Sequence, residues 1–208
     1  MKKVKLPPLY LITDRHQLTE GNSFFAVLDE LMQLGVGMIQ LREKDLTVAE
    51  LYPLAQELRD LCRRRDCLLL INDRVDLALA VKADGVHLGG HSLPAAVARQ
   101  ILGPNSLIGV STHNPQEITA AIAGDADFIT FGPVYATPSK AAYGAPLGLD
   151  KLRQTCLTCD LPIYALGGIK ASRIPAIKQS GAYGIAVISA LMASQNPAEA
   201  YLELLYQL

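Results

Sequence analysis

The feature that most constrains this chain is a rhythm of eight short apolar runs, rich in β-branched residues and separated by longer stretches, several with helical spacing. The runs cover Leu9–Thr13, Met38–Leu41, Leu68–Ile71, Gly85–Leu88, Leu107–Val110, Phe128–Phe131, Ile163–Leu166 and Gly184–Ile188. Near-continuous apolarity means burial on both faces, which is the mark of parallel strands. Amphipathic stretches such as Phe24–Leu34 and Val48–Arg64 lie between them. In the second, Leu51, Leu54, Ala55, Leu58, Leu61 and Cys62 recur at helical spacing, with Glu57, Arg59, Asp60 and Arg63 mostly elsewhere. Eight β-then-α units in 208 residues predict an α/β fold, a single closed (β/α)8 TIM barrel forming one domain over residues 1–208. A doubly wound open sheet is the competing arrangement. There is no interdomain linker, no low-complexity segment and no clear sequence self-similarity.

Composition narrows the function. Half of the residues are apolar, which argues against disorder, and the net charge of −1 gives no electrostatic reason to expect nucleic acid or a membrane surface. The stretch Met1–Pro8 lacks the apolar run of a secretory signal, and no run is long enough to span a bilayer. Four cysteines are too sparse for a disulfide scaffold. Cys156 and Cys159 form a CxxC, but no second pair at zinc spacing follows. Cys62 and Cys67 are expected to pack at a helix-to-strand junction. A reducing cytoplasm is the expected location. A homo-oligomer is compatible with the sequence, which does not set the oligomeric state.

Chemistry-bearing residues gather where the runs stop, and in such barrels the strand C-termini form the active face. Gln40, Arg42 and Lys44 alternate, so an extended segment aims them the same way and Leu41 and Glu43 the other. Arg offers a planar fork for phosphate oxygens and Lys a mobile point charge. The competing reading is a surface salt-bridge cluster. Asn72-Asp73 ends the third run: Asp73 is a hard oxygen donor for Mg²⁺, or the pair caps the helix starting near Val75. Asp76 is expected in that helix's first turn, where its charge suits the dipole.

Ser111-Thr112-His113 follows the fifth run, but no third partner or oxyanion loop supports a hydrolase. Ser111 fits better as a donor to a ligand. His87 either points into the mouth or is a satisfied core histidine. After the sixth run, Gly132 to Lys140 gathers the hydroxyls of Thr137 and Ser139 and the amine of Lys140, a kit for a phosphorylated ligand. Gly167-Gly168-Ile169 and Val187-Ile188-Ser189 close the last two runs, where a phosphate site is a recurrent barrel feature.

Together these segments resemble the thiamine phosphate synthase/TenI superfamily of (β/α)8 barrels. Its markers are Gln40-Leu41-Arg42-Glu43-Lys44, Ile71-Asn72-Asp73, Asp84 through Gly89, Ile108 through His113, Phe131 through Lys140, and Gly167-Gly168-Ile169. The resemblance implies a transferase joining hydroxymethylpyrimidine diphosphate to thiazole phosphate with release of pyrophosphate. It implies that Arg42, Lys44, Asn72, Ser111 and Lys140 hold the diphosphate, and that Gln40 and His87 face the pyrimidine. It further implies Mg²⁺ on Asp73, with Thr137, Ser139, Gly167, Gly168, Ile188 and Ser189 around the thiazole phosphate. One departure stands out: Ser92 occupies the place of the synthases' usual second Mg²⁺-binding aspartate. A neutral hydroxyl is a poorer ligand for a hard dication than a carboxylate. TenI-like thiazole tautomerases are the alternative, yet they carry a histidine where this chain has Pro133, which cannot serve as acid or base. A phosphate-binding regulatory barrel without turnover is the third reading.

Overall fold

The computed structural model describes residues 5–137 and 145–208. Eight parallel strands close in sequence order: β1 (Leu9–Ile12), β2 (Met38–Leu41), β3 (Leu68–Asn72), β4 (Gly85–Leu88), β5 (Leu107–Thr112), β6 (Phe128–Phe131), β7 (Ile163–Leu166) and β8 (Gly184–Val187). Closure is made by β1 against β8, with Leu9 opposite Ile185 and Leu11 opposite Val187. That pairing rules out the open-sheet alternative. β3 gains Asn72 and β5 runs on to Thr112, while β1 and β8 each stop one residue short of the expected end.

The described helices are α1 (Phe24–Gln33), α2 (Val48–Arg64), α3 (Val75–Val81), α4 (Ala95–Leu102), α5 (Pro115–Ala123), α6 (Gly148–Thr158), α7 (Ile174–Gln179), α8 (Ser189–Met192) and α9 (Pro197–Gln207). α2 shows how sequence sets such an element. Thr47 and Glu50 form a reciprocal capping box at its start, and Leu51, Ala55, Leu58, Leu61 and Cys62 are its buried stripe. Cys67 N–H then donates to the Cys62 carbonyl at 2.9 Å, turning the chain into β3. Both thiols are buried there, as expected of a junction. Burial pushes the Cys156 thiol up to about 11, which leaves that thiol little thiolate character, and Cys159 is buried.

Two apolar layers flank the sheet. Outward-facing strand residues such as Leu11, Ile39, Leu69, Val86 and Ile129 pack under the helices. Inward residues Tyr10, Met38, Leu70, Phe128, Tyr164 and Ala186 fill the barrel. Tyr10 and Phe128 meet edge to face with centroids 5.5 Å apart, and Phe128 meets Tyr164 at 5.4 Å. Gly109 makes room for this cluster. A Cβ there would lie 2.3 Å from Phe128 Cζ and 2.6 Å from His87 Nδ1.

The N-terminal strand ends are tied twice by the same device. Asp84 accepts from Leu69 N–H at 2.8 Å and pairs with Arg59; Asp127 accepts from Ile108 N–H at 2.7 Å and pairs with Arg99. These ties brace the rim opposite the site, where side chains serve stability.

Candidate active site

Alternation along the strands builds the site. On four strands the next inward residue toward the mouth is polar: Gln40 beyond Met38, Asn72 beyond Leu70, Ser111 beyond Gly109 and Thr130 beyond Phe128, whereas Ile12, Leu166 and Ile188 keep the remaining mouth apolar. The result is a polar layer on an aromatic floor. Gln40 Nε2 donates to Tyr10 Oη at 2.9 Å, and burial raises the Tyr10 phenol well above its ordinary value, so it stays neutral. His87 belongs to the same floor, its ring 5.6 Å from Tyr10 and 5.9 Å from Phe128. It is 3% exposed, and its Nε2 lies 2.9 Å from Ser111 Oγ. Thr130 Oγ1 stands 3.5 Å from the same hydroxyl.

Burial, and then the positive charge of Arg42, lowers the His87 pKa to about 3. The imidazole is therefore neutral, and the Arg42 guanidinium is near enough to be felt over the mouth. Asn72 pairs in register with His87. Structure thus gathers Gln40, Arg42, Asn72, His87 and Ser111 on one side of the rim. Lys44 is exposed beyond them, and Glu43 is buried, turned away as the alternation requires.

Asp73 follows β3 in the left-handed region at φ +64, which aspartate tolerates, and its N–H donates to the His87 carbonyl at 2.9 Å. The capping reading of Asn72-Asp73 is corrected here. Arg74 holds the N-cap position of α3, with no side-chain cap bond. Asp76 does sit in the first turn, where its ion pair with Arg74 lowers its pKa.

Ser92 Oγ accepts from Gly89 N–H at 2.8 Å, so one of its lone pairs serves its own loop. Among the described residues no group of three or more His, Cys, Asp or Glu could hold a metal. The donor set does fit a dication carried mainly by diphosphate oxygens, because Mg²⁺ is commonly bound through one or two carboxylates plus substrate phosphates. Asp73 would be the protein carboxylate.

A cleft of about 610 Å³, measured to its open rim, occupies the other side of the mouth. Ser111, Thr137, Gly167, Gly168, Ile188 and Ser189 all line it. Ser139 and Lys140 lie outside the described residues. Gly167 and Gly168 adopt φ +98 and +63, and a Cβ on Gly168 would stand 2.7 Å from the Ala136 carbonyl oxygen. Their loop is laced to the one after β6 by Val134 N–H to Leu166 O at 2.8 Å and Tyr135 N–H to Gly167 O at 3.1 Å. Ser189 opens the short α8, and it lines the cleft together with Ala190.

Sequence reasoning gave no role to Thr130, which lines the cleft, or to His113, whose Nδ1 lies 3.0 Å from a Glu117 carboxylate oxygen. The signal for Thr130 was its place two residues before Gly132 on an inward-facing strand position.

A closed parallel barrel with polar side chains and backbone amides converging on its C-terminal mouth is the architecture of a phosphate-handling TIM-barrel enzyme. The family model described as thiamine monophosphate synthase (TMP-TENI) matches residues 9–191, and the chain belongs to that family. It is 54% identical over 191 residues to a putative thiamine-phosphate synthase of Geobacter sulfurreducens, covering 92% of this chain and 89% of that protein. It is 44% identical to a thiamine-phosphate synthase of Synechocystis, over 96% of this chain and 57% of the relative, so it spans little more than half of that longer protein. The solved thiamine phosphate pyrophosphorylase of Pyrococcus furiosus superposes with a TM-score of 0.85 at 36% identity, covering 96% of this chain and 94% of that one.

Proposed function

We propose that the protein joins hydroxymethylpyrimidine diphosphate to thiazole phosphate, releasing pyrophosphate and forming thiamine phosphate. The observation that carries this reading is the double membership of Ser111. It bonds His87 and also lines the cleft, which supports a reading in which two anionic substrates share one hydroxyl.

In this reading the C–O bond to diphosphate breaks first, and its electron pair leaves with pyrophosphate. The thiazole nitrogen lone pair then captures the pyrimidinyl-methyl cation, forming the C–N bond. No covalent nucleophile is required, and a neutral His87 suits a site that must not protonate the incoming base. Arg42, Lys44, Asn72, Ser111 and Lys140 take up the charge on departing pyrophosphate. Gln40 and His87 orient the pyrimidine above the aromatic floor. Thr137, Ser139, Gly167, Gly168, Ile188 and Ser189 hold the thiazole phosphate. Mg²⁺ on Asp73 would supply further charge neutralisation to the diphosphate.

The tautomerase alternative needs a titratable group where Pro133 lines the cleft. No helix among the described residues is long and apolar enough to cross a membrane; a cytoplasmic location is part of the proposal. An assay supplying both substrates tests the reading. Thiamine phosphate formed only with Mg²⁺ supports it. Isomerisation of a thiazole carboxylate phosphate alone supports the tautomerase, and tight binding with neither reaction supports a regulatory barrel.

A further inference from the structure

Resting on that reading, we infer that the buried Thr13 and Glu43, with Arg15, form a clamp that positions Arg42 for the diphosphate. None of the three belongs to the groups assigned to substrate. Thr13 is 0% exposed and Glu43 4%, so both polar side chains are buried just outside the mouth. A buried carboxylate is costly unless its oxygens are satisfied. Here Oε1 accepts from Thr13 Oγ1 at 2.6 Å, while Oε2 accepts from Arg15 N–H at 3.1 Å and from Arg15 Nη1 at 3.1 Å.

The geometry of Thr13 turns this cluster into a positioning device. Its hydroxyl donates to Glu43 and accepts from the Arg42 N–H at 2.9 Å, and its own N–H donates to the Gln40 carbonyl at 2.9 Å. Three positions of one motif, the Gln40 carbonyl, the Arg42 N–H and the Glu43 side chain, are thereby fastened to the end of β1. Arg15 extends the tie to Asp45 through Nη1 to Oδ1 at 2.7 Å, and His16 Nε2 lies 3.0 Å from Asp45 Oδ2. With the Glu43 side chain held by Thr13 and Arg15, and the Arg42 N–H held by the Thr13 hydroxyl, the backbone that carries Arg42 is fixed at two adjacent residues. The lowering of the His87 pKa by Arg42 agrees with that placement. Loops that must hold a charge in place need such support, since small displacements cost rate.

Thr13→Val removes the hydroxyl but keeps the shape, and Thr13→Ser keeps the hydroxyl. The test compares both with wild type by the KM of each substrate and by calorimetric binding of inorganic pyrophosphate with Mg²⁺. Thr13→Val is expected to raise the pyrimidine diphosphate KM and the pyrophosphate Kd about tenfold. The thiazole phosphate KM should stay within about twofold, and Thr13→Ser should behave as wild type. Unmoved diphosphate constants, or equal losses for both substrates, overturn the clamp. Should Thr13→Val fail to fold by circular dichroism, Arg15→Met carries the same test. It removes one donor to the carboxylate, and a shift of about threefold in the pyrophosphate Kd is expected; none overturns the clamp. A wild-type protein that neither makes thiamine phosphate nor binds pyrophosphate overturns the underlying reading, whereas an active wild type with an unmoved Thr13→Val overturns the clamp alone.

Discussion

His87 Nε2 and Ser111 Oγ stand 2.9 Å apart, across adjacent strands, at the floor of the mouth. His87 Nδ1 is buried without a partner among the described residues. A buried orphan N–H is rarer than an orphan lone pair, so the proton belongs on Nε2 and His87 donates to Ser111. The serine's own proton is then available to an anionic oxygen. Ser111→Ala should lower kcat/KM about 10- to 100-fold, the worth of a hydrogen bond to a charged group. Because the proposed site has Ser111 serve both subsites, steady-state kinetics should show the loss whichever substrate is varied.

The same burial predicts a pH effect on stability. The folded-state pKa of His87 is lowered to about 3, mainly by burial and secondly by Arg42. Between that value and the unfolded value of about 6.5, the unfolded chain binds a proton that the native chain does not. This contribution is therefore intact above the unfolded pKa and lost as pH falls toward the folded one. From pH 7 to pH 4.5 it should cost about 2 to 3 kcal/mol. His87→Asn lacks this titration, so urea denaturation should show a shallower loss of stability for the variant over that interval. Parallel curves for the two proteins would mean that His87 is protonated in the fold.

How far such features are readable in the sequence depends on their physics. Strand ends such as Gln40-Leu41 and Phe131-Gly132 are legible because burial on both faces leaves a continuous apolar run that stops abruptly at the mouth. The inward direction of Gln40 follows from two-residue alternation, whereas Glu43 lies past the end of β2 and is held by Thr13 and Arg15. The clamp on Glu43 is not legible, because Thr13 lies 30 residues away and only closure of β1 against β2 brings the hydroxyl to the carboxylate. Asn72-Asp73 misled for the opposite reason. Its composition suits a cap, but the left-handed turn at Asp73 passes the cap position to Arg74.

Gly168 tests the cleft side. At φ +63, any side chain is strained, and the added Cβ would press on the Ala136 carbonyl oxygen and on Tyr135 Cβ at 2.9 Å. Arg173 tightens the same corner by donating to the Gly168 carbonyl and lying 4.4 Å over the Tyr135 ring. Gly168→Ala must therefore displace one of the two loops, at a cost of about 1–3 kcal/mol. The thiazole phosphate KM should rise about tenfold while pyrophosphate binding, measured by calorimetry, is unchanged.

Ser92→Asp probes the metal. The Gly89 N–H that now bonds Ser92 Oγ can equally bond one carboxylate oxygen, so the loop keeps its turn while gaining a charged donor. The Mg²⁺ concentration giving half-maximal rate should fall about tenfold, since in the proposed site a second carboxylate would join Asp73. An unchanged Mg²⁺ titration would place this loop away from the metal.

Lys140→Ala addresses the step that the rest of the site serves. Breaking the C–O bond leaves pyrophosphate with additional negative charge, and a fixed cation stabilises that state more than the bound ground state. Losing such a partner should reduce kcat about 100-fold or more, with a smaller effect on KM. Inorganic pyrophosphate added to the assay should inhibit the variant less than wild type, since in the proposed site it would meet the same positive group. Near-normal kcat with unaltered product inhibition would remove Lys140 from the leaving-group pocket and shift its burden to Arg42 and Lys44.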